Sequence, residues 1–157
     1  MLMKKTNALR WLDLHNINYS TISYQYNSND LNVLHIAKQN NLDASTLYKT
    51  LALQGTHAIC LAVINAQERL SLKKIASLMQ QKKVEMIPAA HLLNKIGYQR
   101  GACSPVGIKK TCKVYISAEA KKLESICVNA GKRGLLMQIK VADLLRACSG
   151  QWADICL

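Results

Sequence analysis

The period of the hydrophobic pattern changes repeatedly along this chain, from the 3.6-residue spacing of a helix to the two-residue alternation of a strand and back. That order limits the fold more than any other feature of the sequence. Leu9, Leu12 and Ile17 outline the apolar side of a first helix over about Lys4–His15, and Tyr19–Tyr26, dominated by Tyr, Ile and Thr, reads as a strand. A helix is expected at about Leu31–Gln39, followed by two apolar strands, Tyr48–Leu53 and Ala58–Ile64, joined by a hairpin connection at Gln54–His57. Ser71 is a good N-cap for a helix through Met79, Val84–Ile87 is a short strand, and Pro88 suits the first turn of a helix that stops near Gly97. Gly101–Gly107 is turn-rich and reads as a loop. Strands are expected at Lys113–Ser117, Ser125–Asn129 and Leu135–Lys140, then a helix at Val141–Cys148 and a last strand at Trp152–Ile155. Periods that switch in so irregular an order argue for an α/β fold with a mixed sheet and helices packed around it, not a regular parallel series. No Pro/Ser/Gly-rich linker and no internal repeat divides the chain, so residues 1–157 are expected to form one domain.

Composition supports a packed core. Half the residues are hydrophobic and 19% are charged, and with no Phe the core must be filled by Leu, Ile, Val and Met. No apolar run approaches the ~18 residues of a membrane span, and the opening Met1-Leu2-Met3-Lys4-Lys5 lacks the apolar stretch of a signal peptide. A cytoplasmic protein is expected, with no membrane partner. Six cysteines, at 60, 103, 112, 127, 148 and 156, form no Cys-x-x-Cys pair and no zinc spacing with histidine, so buried reduced thiols are expected and no metal or other cofactor. The net charge is +12, and of the 21 basic residues 15 fall between Lys73 and Arg146. Such asymmetry fits a polyanionic partner, since each neutralised phosphate releases condensed counterions; a solvated basic surface fits equally well.

Several chemistries are absent from the pattern. No Gly-x-Gly-x-x-Gly, P-loop, His-Glu-x-x-His or Gly-x-Ser-x-Gly occurs, the nine carboxylates are scattered, and histidines 15, 35, 57 and 91 lack companions, which makes each a surface or capping residue. Three features remain. Lys49 sits inside the apolar run Leu47–Leu53, where its ammonium either snorkels at a sheet edge or points into a cleft. The loop Gly101–Gly107 allows backbone N–H groups to approach a ligand oxygen, although an ordinary surface loop has the same composition. The segment Asn129–Gly134 reads as a strand-ending turn with two glycines around a basic pair.

Together these features stand in the order and spacing of a known family. The blocks are Val33–Asn41, then Tyr48-Lys49-Thr50-Leu51, Ser71–Ala76, Lys82–Met86, Gly97-Tyr98, Gly101–Lys110, Asn129–Gly134 and Ala153-Asp154-Ile155. Through them the chain resembles the YbaK-type aminoacyl-tRNA deacylases, which are related to ProX proteins and to the editing domain inserted in bacterial prolyl-tRNA synthetases. The resemblance implies a mixed, barrel-like sheet surrounded by helices, with a cleft for the 3′-terminal aminoacyl-adenosine. The activity it implies is trans-editing of mischarged tRNA, foremost Cys-tRNA(Pro) and also Cys-tRNA(Cys). Alternatives are another small substrate such as Ala-tRNA, or a non-catalytic module that binds tRNA or a synthetase. The implied partners are aminoacyl-tRNA and prolyl-tRNA synthetase.

By the same resemblance Lys49 matches the family's functional lysine, and Gly101 opens the Gly-x-x-x-Pro loop whose N–H groups would stabilise a developing oxyanion. These two form the expected catalytic pair. The expected substrate-binding positions are Tyr24, Thr50, Ala102, Ser104, Pro105, Gly107, Asn129, Gly131 and Leu136, and the expected tRNA-binding set is Lys109, Lys110, Lys132 and Arg133. In the cysteine-specific members the substrate's own thiol is thought to attack its ester, so no protein nucleophile is implied. Three positions depart from the family: Asn129 stands where Ser is common, Leu136 where Asp is common, and Ala102 where a second glycine is common.

Overall fold

The computed structural model describes residues 4–110 and 112–157; the opening Met1–Met3 read above lies outside them. Among the described residues there are five α-helices, Asn7–Leu14 (α1), Val33–Gln39 (α2), Leu72–Leu78 (α3), Ala89–Ile96 (α4) and Val141–Ala147 (α5). The strands are Ser20–Ser23 (β1), Tyr48–Gln54 (β2), Ile59–Asn65 (β3), Glu85–Met86 (β4), Lys113–Ser117 (β5), Ser125–Lys132 (β6), Leu135–Lys140 (β7) and Gln151–Ala153 (β8). They form two sheets, β1-β7-β6 and β4-β2-β3-β5-β8. The α/β class and the mixed sheet are as expected, with β3-β5-β8 parallel and the remaining pairs antiparallel. The expected barrel-like sheet is not closed. Among the described residues the hydrogen-bonded link between the two sheets is a parallel bridge, Leu47↔Cys127.

Both faces of β3 are covered, which is why Ile59–Asn65 reads as an unbroken apolar run. Leu61 and Val63 join the main core, made with α1, α5 and the inner faces of β6 and β7. Cys60, Ala62 and Ile64 pack on Ile75 and Ala76 of α3 in a second cluster. A third cluster joins Tyr24, Ile36, Ala37, Leu47, Ala66 and Leu136, so that α2 lies over the junction of the sheets. Among the described residues no helix is long and apolar enough to cross a membrane.

Several boundaries differ from the sequence expectation, each for a local reason. Thr6, not Lys4, begins the first helix, because its hydroxyl accepts the Leu9 N–H at 3.2 Å and donates to Ala130 O at 2.5 Å. Asn32 caps α2 by accepting from Leu34 and His35, so that helix starts two residues after Leu31. β1 stops at Ser23, and Tyr24 continues only through its N–H to Gly134 O at 2.9 Å. β6 runs past Asn129 to Lys132 through a bulge at which Gly131 has φ +98°; the turn expected at Asn129–Gly134 is therefore mostly strand. The last strand is Gln151–Ala153, not Trp152–Ile155, because Ile155 leaves the sheet to accept the Ser71 N–H at 2.8 Å. Pro88 is the N-cap of α4 and not its first residue.

Candidate active site

The register of β2 with β3 decides which backbone groups are free. Pairs whose numbers sum to 113 face each other, and the bonds Gly55 N–H to Ala58 O and Ala66 N–H to Leu47 O assign the odd residues of β2 to the β3 side. In an antiparallel ladder the even residues then turn their N–H and C=O to the other edge. At that edge Ile87 N–H reaches Ala52 O at 3.0 Å, and β4 pairs only with Leu53 and Gln54. Pro88 follows and caps α4, so the chain turns into a helix before it can pair with Thr50. A stretch of β2 edge between the β4 ladder and the Leu47↔Cys127 bridge is thus left open.

A cavity of about 520 Å³ lies along this open edge. Its wall includes Tyr48–Ala52 of β2, Leu31, Val33 and Ile36 from α2 and the loop before it, Met86–Ala89 and Leu92, and Tyr24, Arg100, Gly101, Cys103, Asn129 and Leu136. Most of that wall is apolar, with a few convergent polar groups, the usual composition of a small-ligand site.

Lys49 supplies a cation. Its Nζ lies 3.4 Å from Ala66 O, a long contact that leaves donors of the ammonium over. Burial holds its pKa below the ordinary value and the Arg69 guanidinium pushes the same way, while Cys156 acts in the opposite sense. Next to Lys49, the Thr50 Oγ1 is buried without a hydrogen-bond partner among the described residues.

Across the cavity, Asn129 ties three segments together. Its Oδ1 accepts from the N–H groups of Gly131 at 2.6 Å and Lys132 at 3.0 Å, and its Nδ2 donates to Gly101 O at 3.0 Å and to the Tyr24 hydroxyl at 3.3 Å. Donors on one side and a carbonyl on the other fix which way the amide faces. Tyr24 is 8% exposed, and burial raises its pKa, so its hydroxyl is neutral at physiological pH. In the loop after Gly101, Ala102 N–H is held by Gln99 O at 3.0 Å, Val106 N–H by Ser104 Oγ at 3.2 Å, and Pro105 has no N–H. On the cavity-lining residues of this loop the backbone donors without a partner among the described residues belong to Gly101 and Cys103. The Cys103 thiol is pushed up to about 12 by burial, which leaves it protonated and unreactive at neutral pH.

Six of the expected site residues therefore share one wall: Tyr24, Lys49, Thr50, Gly101, Asn129 and Leu136. Ala102, Ser104, Pro105, Gly107 and Gly131 lie outside it. Ser104 and Pro105 are buried behind the loop, while Gly107 (φ +71°) abuts the backbone of Asn7 and Ala8, and Gly131 abuts Tyr98. Both glycines serve close packing against the first helix and its surroundings. Lys109, Lys110, Lys132 and Arg133 also lie off the wall, although Arg133 bonds a wall residue through its Nε to Arg100 O at 2.8 Å. Arg100 itself lines the cavity and was not picked out from the sequence, although it directly precedes Gly101. Its charge was legible; its aim was not. The apolar wall of Met86–Ala89 was also missed, because in sequence it reads only as a strand running into a helix. The six thiols are free, and among the described residues no group of three or more His, Cys, Asp or Glu could hold a metal ion.

Comparison with known proteins fits this geometry. The model of the aminoacyl-tRNA editing domain matches residues 32–147. Protein EbsC of Enterococcus faecalis, which carries the provisional name Cys-tRNA(Pro)/Cys-tRNA(Cys) deacylase, is 34% identical over 153 residues, covering 97% of this chain and 93% of its own. Among solved structures, hypothetical protein APE2540 superposes with a TM-score of 0.86 at 17% identity, over 97% of this chain and all of that one. A protein provisionally described as a trans-editing enzyme for prolyl-tRNA synthetase superposes with a TM-score of 0.82 at 16% identity, over 99% of both chains.

Proposed function

The chain belongs to the aminoacyl-tRNA editing domain family, and from that premise we propose that it deacylates mischarged tRNA in trans, Cys-tRNA(Pro) first and Cys-tRNA(Cys) second. One observation carries the reading: Lys49, the Gly101 loop and the Asn129–Tyr24 pair, far apart in sequence, face one cavity wide enough for the aminoacylated end of a tRNA. The whole of 1–157 acts as one editing unit in the cytoplasm, with prolyl-tRNA synthetase as the partner that releases its substrate.

In this reading the Lys49 ammonium and the Arg100 guanidinium hold phosphate and ester oxygens at the tRNA end. The N–H groups of Gly101 and Cys103 face the ester carbonyl and stabilise the oxyanion as it develops. No protein nucleophile is required. The substrate thiol attacks its own carbonyl, a C–S bond forms, the C–O bond to the ribose breaks, and the thiol proton passes to the ribose oxygen, releasing a cyclic thiolactone. Intramolecular attack supplies proximity worth up to ~7–11 kcal/mol, so the protein need only orient the ester and stabilise the oxyanion. Lys109, Lys110, Lys132 and Arg133 bind the phosphates of the acceptor stem outside the cavity.

Single-turnover deacylation of cysteinyl-, alanyl- and prolyl-tRNA(Pro) tests the proposal. Fastest release of cysteine is expected. Fastest release of alanine moves the specificity to another small amino acid, and no release of any of the three leaves a binding module.

A further inference from the structure

The wall shared by Lys49 and Arg100 carries two cations and no carboxylate: from Tyr24 round to Leu136 it includes neither Asp nor Glu. The acidic residues adjoining it in sequence are engaged elsewhere. Asp30, before Leu31, is held by His35 Nδ1 at 2.8 Å and by the Asn32 N–H at 3.2 Å. Glu85, before Met86, accepts from Gln54 Nε2 at 3.0 Å. Farther off, Asp43 is held by the Ser45 hydroxyl at 2.6 Å and its N–H at 2.9 Å, and Glu119 accepts from Lys122 Nζ at 2.7 Å.

An α-ammonium brought into this cavity would lose water against Leu31, Ile36 and Leu136 and share the wall with two cations that the substrate phosphate engages; Glu68 and Glu119, whose charges act on Tyr48, are not on the wall, so it would find no carboxylate there. Its ordinary pKa is only about 8, so near neutral pH giving up the proton costs little compared with burying the charge unpaired. The open β2 edge offers backbone carbonyls, at Tyr48 and Thr50, which accept an N–H from an amine or an amide alike.

We propose that the cavity takes the aminoacyl ester with its α-nitrogen uncharged, and therefore binds and cleaves esters whose amine is acylated as well as those whose amine is free. The substrate class widens accordingly to N-blocked aminoacyl-tRNA. This rests on the reading of the cavity as an aminoacyl-ester site.

Two measurements separate the inference from that reading. The first compares the affinity of tRNA(Pro) minihelices ending in a stable 3′-cysteinylamide, one with a free and one with an N-acetylated amine. Dissociation constants within about threefold of each other are expected. Tighter binding of the free amine by tenfold or more overturns the inference, as does failure of both to bind. The second is single-turnover hydrolysis of cysteinyl-tRNA(Pro) and N-acetyl-cysteinyl-tRNA(Pro), expected at rates within tenfold. Comparable binding of both amides without hydrolysis of either ester sinks the deacylase reading and the cleavage that rests on it, and leaves standing the binding of an uncharged nitrogen; hydrolysis of the free-amine ester alone overturns the inference. Leu136→Asp supplies the missing anion, and a folded variant is expected to prefer the free amine at least tenfold; equal binding in that variant overturns the charge argument, and if it does not fold the wild-type comparison still decides.

Discussion

Asn129 donates through Nδ2 to the carbonyl of Gly101 at 3.0 Å, so the bulged end of β6 holds the loop that carries the proposed oxyanion donors. The same side chain accepts two backbone N–H groups. Asn129→Ala removes both functions. At about 0.5–1.5 kcal/mol per bond, partly exposed, a loss of roughly 1–3 kcal/mol is expected by urea unfolding. Deacylation should fall in kcat more than it rises in KM, since the loop acts on the transition state. Asn129→Ser keeps a hydroxyl for the bulge and should fall between the two.

Lys49→Met keeps the stem and removes the charge. Single-turnover deacylation is expected to drop at least a hundredfold with no loss of Tm at pH 7. The sign of the pH dependence follows from linkage: the folded pKa of Lys49 lies below its ordinary 10.5, so the folded state binds its proton less tightly than the unfolded one. The charge is therefore a burden below the folded pKa, and the burden lifts as pH rises toward 10.5. The Tm advantage of Lys49→Met should shrink over that window. A gap that grows with pH would mean that Lys49 is paired, not desolvated.

Affinity for tRNA should fall steeply as salt rises from low to physiological concentration, because phosphate contacts dominate. Each of Arg100→Gln, Lys109→Gln, Lys110→Gln and Arg133→Gln is expected to lower the slope of log K against log salt by about one. Arg100→Gln should also slow deacylation, because Arg100 lines the cavity and the other three do not. Filter binding across a salt series reads the first effect, and single-turnover rates the second.

Gly107→Ala is a test of packing alone. The glycine has φ +71° and an added Cβ would lie 2.8 Å from the Asn7 carbonyl carbon, against backbone that cannot swing aside. The left-handed conformation alone costs a non-glycine residue about 1–3 kcal/mol, and the overlap adds to it. A Tm lowered by several degrees is expected, with deacylation of the folded fraction unchanged.

Helices and strands were legible because most elements bury one recognisable face, and the core strand Ile59–Asn65, covered on both faces, reads from its unbroken apolar run. Boundaries failed where a single hydrogen bond decides the end of an element: the Thr6 hydroxyl to Ala130 O, the Asn32 side chain to the first N–H groups of α2, and the Ile155 carbonyl to the Ser71 N–H. Position 129 was singled out in sequence, but two of its four bonds depend on Tyr24 and Gly101, which are 105 and 28 residues away, and no local pattern encodes such a meeting. Arg100 was hidden by its surroundings, since one more cation in a chain of net charge +12 carries no signal. The burial of Ser104 and Pro105 behind the loop was hidden too, because a turn-rich segment in sequence gives no sign of which of its faces meets the core.

Pro88 gives the molecule a conflict between firmness and use. Were the β4 ladder to run two residues further, Ala89 N–H would reach Thr50 O, the slit would zip shut, and the sheet would gain a bond and lose its entrance. A search for sturdier variants that replaced Pro88 and delayed the start of α4 would be drawn toward that sealed form, well folded and inert. The edge of β2 is thus kept open by an uncharged residue of the cavity wall, whose effect on the sheet would be invisible to any scan that looks only for groups acting on the substrate.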